Sequence, residues 1–101
     1  MEVLEEWLGT LLMKGRIVGL DYDNSEHINA TRTLTQSGVA DRDGVSYLVV
    51  SKSLKEHFAK EACGSSMQKK IVALHAWLLK EDVKEIKSKE TVLNICKKFG
   101  A

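Results

Sequence analysis

The sequence predicts an α+β fold: an N-terminal helix, a small antiparallel sheet with a hairpin around residues 41–44, and a C-terminal helical layer of two or three helices. Three observations predict it. Val3, Leu4, Trp7, Leu8, Leu11 and Leu12 repeat at helical spacing. The turn dipeptide Asp43-Gly44 runs directly into the β-type apolar segment Val45 to Val50. Two capping boxes, Ser53 to Glu56 and Ser65 to Gln68, then each introduce an amphipathic stretch.

At 101 residues the chain is expected to be a single domain, residues 1–101, with one core. Apolar residues make up 44% and charged residues 29%, a globular composition rather than a disordered one. There is no proline, so helix ends must be set by glycine and by capping side chains. The longest apolar run, Ile71 to Leu79, is interrupted by His75 and is too short to span a bilayer. The first residues are acidic where a signal peptide needs positive charge, so a cytoplasmic, intracellular protein without a membrane partner is expected.

The first helix is expected over Val3–Met13, with Glu2, Glu5 and Glu6 in the turns where the helix dipole favours anions and Gly15 closing the end. Ile17 to Tyr22 reads as a short strand. Residues 23–38 are polar and glycine-punctuated, and read as loop with a strand near residues 28–34, because Thr31, Thr33 and Thr35 alternate with Arg32 and Leu34. Residues 37–40 are expected to pair with Val45 to Val50 across Asp43-Gly44. A short helix then presents Leu54, Phe58 and Ala62 up to Gly64. The strongest amphipathic segment follows, with Met67, Ile71, Leu74, His75 and Leu78 on one face. Ser88 is read as the cap of a last helix carrying Val92, Ile95, Cys96 and Phe99, ended by Gly100. Those last two segments are either separate helices or one bent rod. Cys63 and Cys96 sit at apolar helical positions, where a free thiol behaves as a small buried hydrophobe.

The residue pattern disfavours an enzyme, and no cofactor or metal is expected. Asp21-Tyr22-Asp23-Asn24-Ser25 opens like a calcium loop, but Glu26 replaces the glycine of the sharp turn and Arg32 the closing bidentate glutamate. His57 and Cys63 point to different faces of one helix and make no nucleophile and base pair. His75 reads as a hydrogen-bonded core residue, and His27 has no zinc-spaced partner. No phosphate-binding glycine loop and no GxSxG elbow occur.

Charge is the remaining signal. Residues 1–50 hold four Lys/Arg and eight Asp/Glu, whereas residues 51–101 hold eleven and six, so the halves differ in sign although the net charge is +1. Clustered lysines neutralise phosphates without reading bases. Lys69, Lys70, Lys84, Lys87, Lys89, Lys97 and Lys98 are therefore the candidate nucleic-acid contacts, with Arg42 at the hairpin tip as a groove probe. The alternative is a protein-interaction or homodimerisation module, because the two wide apolar helices carry Trp7 and Trp77.

Glu6-Trp7-Leu8, Lys14-Gly15-Arg16-Ile17, Tyr47-Leu48-Val49-Val50-Ser51 and Leu54-Lys55-Glu56-His57-Phe58 together resemble winged-helix domains of conjugative relaxase-helicases and phage replication proteins. Residues 91–101 separately resemble the first helix and turn of a helix-turn-helix. What these resemblances imply is contact with nucleic acid or a replication complex. A regulator or inhibitor encoded by a mobile element belongs to the same range of expectations.

Overall fold

The computed structural model describes residues 3–101; Glu2, the first of the three N-terminal glutamates, lies outside them. The elements in chain order are α1 (Val3–Lys14), β1 (Arg16–Ile17), α2 (Ser25–Gln36), β2 (Ala40–Asp43), β3 (Tyr47–Val50), α3 (Lys52–Lys60), α4 (Met67–Lys80) and α5 (Ile86–Lys98). The chain is α+β: helices pack around a three-stranded antiparallel sheet of order β1-β3-β2. The last three helices form the C-terminal helical layer. Among the described residues no helix is long and apolar enough to cross a membrane.

The largest departure from expectation is α2, which occupies the segment read as loop and edge strand. The Asn24 side chain accepts hydrogen bonds from the Glu26 and His27 amides at 2.9 and 3.4 Å, satisfying two N–H groups that a helix start leaves open. Thr35 Oγ1 donates to the Thr31 carbonyl at 2.8 Å, which accommodates a threonine inside the helix. The buried face is Ala30, Thr31 and Leu34, at i, i+1 and i+4, and it packs between α1 and α5. Tertiary burial of that face decides against the β propensity of the threonines.

Smaller corrections follow the same physics. β1 is confined to Arg16–Ile17, because Gly19 takes φ +72° and interrupts the ladder, although the Leu20 amide still donates to the Ser46 carbonyl at 3.5 Å. The strand before the turn is Ala40–Asp43 rather than residues 37–40, and Gly44 at φ +71° opens the connection. Ser51, not Ser53, caps α3, its hydroxyl accepting from the Leu54 amide at 3.3 Å. Ser66, not Ser65, caps α4 by accepting from the Lys69 amide. Ser88 caps nothing: it is buried inside α5 and donates to Gln36 Oε1 at 3.2 Å, tying α5 to α2. α4 and α5 are separate helices.

α4 buries Ala73, Leu74, Trp77 and Leu78 in the core and packs against α1, α3 and α5. In the sheet, Leu48 points inward and is fully buried, so by strand alternation Tyr47 and Val49 face outward. Register places Arg16 and Asp41 beside Val49, and Asp43 beside Tyr47. The inner face is therefore apolar apart from Arg42, which is opposite Leu48 near the hairpin end, and the outer face carries Arg16, Asp41 and Asp43 around Tyr47 and Val49.

Candidate anion-binding cleft

The eight basic residues singled out in the sequence do not form one stripe. Four are engaged within the chain. Lys98 pairs with Glu5 of α1 at 2.9 Å. Lys89 Nζ donates to the Glu81 carbonyl at 2.8 Å, just past the end of α4. Lys70 Nζ donates to the Leu12 carbonyl in the last turn of α1. Arg42 donates to the Tyr22 hydroxyl, which donates in turn to the Val45 carbonyl, so this side chain fastens the hairpin tip to the segment before α2. Lys69, Lys84, Lys87 and Lys97 are exposed. Lys87 and Lys98, eleven residues apart, share a helix face at opposite ends of α5, with Glu90 near that face between them.

A different set of cations converges. Lys14 at the end of α1, Arg16 on β1, Lys52 and Lys55 on α3, and Lys70 on α4 all line one open cleft of about 780 Å³. Val49 and Phe58 supply apolar lining, and Asp41 and Asp43 are the carboxylates present, giving five cations against two. Of the sequence-selected residues only Lys70 belongs to it. Register sets Arg16 on the outer sheet face, and Lys52 and Lys55 lie three apart on α3, one helical turn. Tyr47, on the same sheet face, adjoins the cleft through Arg16, whose guanidinium lies 5.1 Å from its ring centroid, a cation–π contact.

Helix electrostatics add to this at the start of α3 and of α4. α1 and α2 follow the ordinary rule, with Glu5, Glu6 and Glu26 in their first turns. α3, α4 and α5 have no acidic residue in their first turns, although Glu85 is the N-cap residue of α5. Lysines stand near those N-termini instead: Lys52 and Lys55, Lys69 and Lys70, Lys87 and Lys89. Each is on the wrong side of the macrodipole, an arrangement that costs roughly 0.3–1 kcal/mol in the free protein and favours an anion nearby.

The remaining titratable groups are structural. His27 Nδ1 accepts from the Asp21 amide at 3.1 Å, and its ring meets Trp7 edge-on at 4.8 Å between centroids. His57 Nε2 donates to the Ala73 carbonyl at 3.1 Å, joining α3 to α4. His75 corrects an expectation: its Nε2 is enclosed and makes no hydrogen bond. The acidic segment before α2 is a helix entry, with Asp21 Oδ1 accepting from the Asp23 amide at 3.0 Å and Asn24 serving as the cap. Among the described residues no group of three or more His, Cys, Asp or Glu side chains could hold a metal.

Both cysteines are free and buried. Desolvation pushes the Cys96 thiol from 9.0 up to about 11. The unfolded chain releases this proton from pH 9 upward while the folded chain retains it, so this thiol lowers stability progressively between pH 9 and 11. The decline is expected to disappear in Cys96→Ala, read by urea unfolding across that range.

Comparison with family models, curated proteins and solved structures gives no match, so function is argued from the chain's own geometry.

Proposed function

We propose that this chain is a non-catalytic nucleic-acid-associated domain that holds a phosphodiester backbone in the cleft between the outer sheet face, α3 and the end of α1. The observation that carries the reading is the convergence of Lys14, Arg16, Lys52, Lys55 and Lys70 on one concavity with Asp41 and Asp43 as its carboxylates. Concave basic walls concentrate field lines and attract a polyanion over distances beyond contact. The lysines at the N-terminus of α3 reinforce the helix dipole there instead of opposing it with carboxylates. The exposed Lys69, Lys84, Lys87 and Lys97 add long-range attraction outside the cleft. The resemblance to winged-helix domains points to the same partner class, and two of the segments that carry it, Tyr47 to Ser51 and Leu54 to Phe58, contribute Val49, Val50, Lys55 and Phe58 to the cleft.

Binding of a fluorescently labelled oligonucleotide, titrated with salt, tests this. Affinity is expected to fall steeply, with a log–log slope of about −3 to −4 for four or five neutralised phosphates. Undetectable affinity at low salt, or a slope near zero, removes the reading.

A second reading, self-association or docking of a protein partner, is favoured by Val72 and Leu79, which share an outward face of α4 and are 50% and 60% exposed. Trp77 no longer supports it, being 6% exposed in the core, and Trp7 is half-buried against His27. Sedimentation over a range of concentrations would read a dimer directly.

A further inference from the structure

We infer that the nucleic acid held in the cleft is single-stranded, with one base stacked at the Tyr47–Arg16 pair on the outer face of the sheet. The inference rests on the phosphate reading of the cleft and adds what kind of strand it takes.

Shape carries the first step. Duplex DNA is read by a convex element, a helix or ribbon, that enters a major groove about 12 Å wide. The cations here line an open recess of about 780 Å³ instead, with no projecting helix or ribbon among them to enter a groove. A strand whose bases are free to splay apart can enter such a recess; a paired one presents only its outer phosphates.

The outer sheet face beside the cleft carries the second step. Sequence-tolerant single-strand sites combine a basic groove for the backbone with an aromatic face for a base. Tyr47 is 40% exposed although it sits in a strand, and no inward packing explains a tyrosine there. Arg16, itself exposed, lies 5.1 Å from the ring centroid. Arginine planes and aromatic rings are the two side-chain surfaces on which unpaired bases stack. Here both are adjacent, and Arg16 also lines the cleft. A base on this pair would leave its phosphates within the recess that Lys52 and Lys55 of α3 also line. Asp43, paired with Tyr47 in the sheet register, adds an acceptor beside the stack.

The test compares a labelled oligothymidylate of about ten nucleotides with a hairpin duplex of the same length, by fluorescence anisotropy at low salt, on the full chain. The single strand is expected to bind more tightly. Tyr47→Leu is expected to weaken single-strand binding about tenfold while leaving the salt slope unchanged, because stacking rather than phosphate contact is lost. Tyr47→Phe is expected to stay within about twofold, since the ring is kept. Arg16→Lys keeps the charge and removes the plane, and a loss of about threefold at unchanged slope is expected. Circular dichroism verifies that each variant is folded, and Arg16→Lys keeps the question answerable if Tyr47→Leu is not. Duplex binding as tight as single-strand binding overturns this inference and leaves the phosphate reading standing, as does indifference to both Tyr47→Leu and Arg16→Lys. Absence of binding by either probe to the unaltered chain overturns the phosphate reading itself, and this inference with it.

Discussion

Reversing charge at Lys52 and Lys55 together is expected to lower oligonucleotide affinity by roughly a hundredfold or more, while leaving the fold intact or slightly more stable. The substitution pair Lys52→Glu and Lys55→Glu converts five cations and two carboxylates in the cleft into three cations and four carboxylates. Two phosphate contacts disappear, and the new carboxylates repel the backbone that remains. The same change moves α3 toward the normal helix pattern, because acids in the first turn complement the dipole and lysines there do not. Both side chains are exposed, so no buried partner is abandoned. Thermal unfolding should therefore shift upward or stay level as binding collapses. Reversal at Lys87 and Lys97 is the matched control. Those residues lie outside the cleft, and their loss should change affinity by less than about threefold. Equal losses from the two pairs would place the contact surface elsewhere.

The largest structural effect is expected from Trp77→Ala, a loss of about 3–5 kcal/mol, read as a fall in unfolding midpoint of roughly 15 °C or more. Trp77 lies on the buried side of α4 and is 6% exposed. Its Cη2 edge would stand 3.3 Å from a Cβ at Gly38, which takes φ +78° where the chain leaves α2 for β2. The indole therefore fills the space beside a backbone that cannot move toward it without losing the αL turn. Removal of the side chain leaves a cavity that rigid surroundings close only in part. Trp77→Phe should recover most of the loss. An alanine variant as stable as the original chain would mean that this part of the core collapses freely.

Much of the architecture was legible in the sequence. The apolar repeat of α1, the Asp43-Gly44 turn and the serine-led starts of α3 and α4 each combine a local conformational preference with a matching burial pattern, and such agreement makes an element readable. α2 was hidden because the two disagree. Its inward residues are His27, Ala30, Thr31 and Leu34, too few of them large and apolar to register as a helical stripe, and its threonines alternate as a strand's would. The signal that could have exposed it is Asn24 followed by Glu26, a cap and a first-turn acid, which the acidic run from Asp21 made look like part of a polar loop.

The binding surface was less legible for a different reason. Counting charge by halves of the chain assumes that neighbours in sequence remain neighbours in space. Lys14 and Arg16 come from the acidic half yet meet Lys52, Lys55 and Lys70 because β1 pairs with β3 and α3 follows directly from β3. Lys98 and Lys89, from the most basic stretch, turn back onto Glu5 and the Glu81 carbonyl. Pairing of that kind depends on which helices touch, and no spacing rule reveals it. The lysines in the first turns of three successive helices were visible as sequence, and once helix boundaries are fixed they stand where the helix dipole favours anions.

The most direct measurement is an amide chemical-shift map of the chain titrated with an oligonucleotide at low salt. Perturbed residues should gather at Lys14 to Ile17, Asp41 to Lys55 and Gly64 to Lys70, with α5 little changed. Perturbations centred on Lys84 to Lys98, or spread evenly over the surface, would contradict the assignment of the cleft.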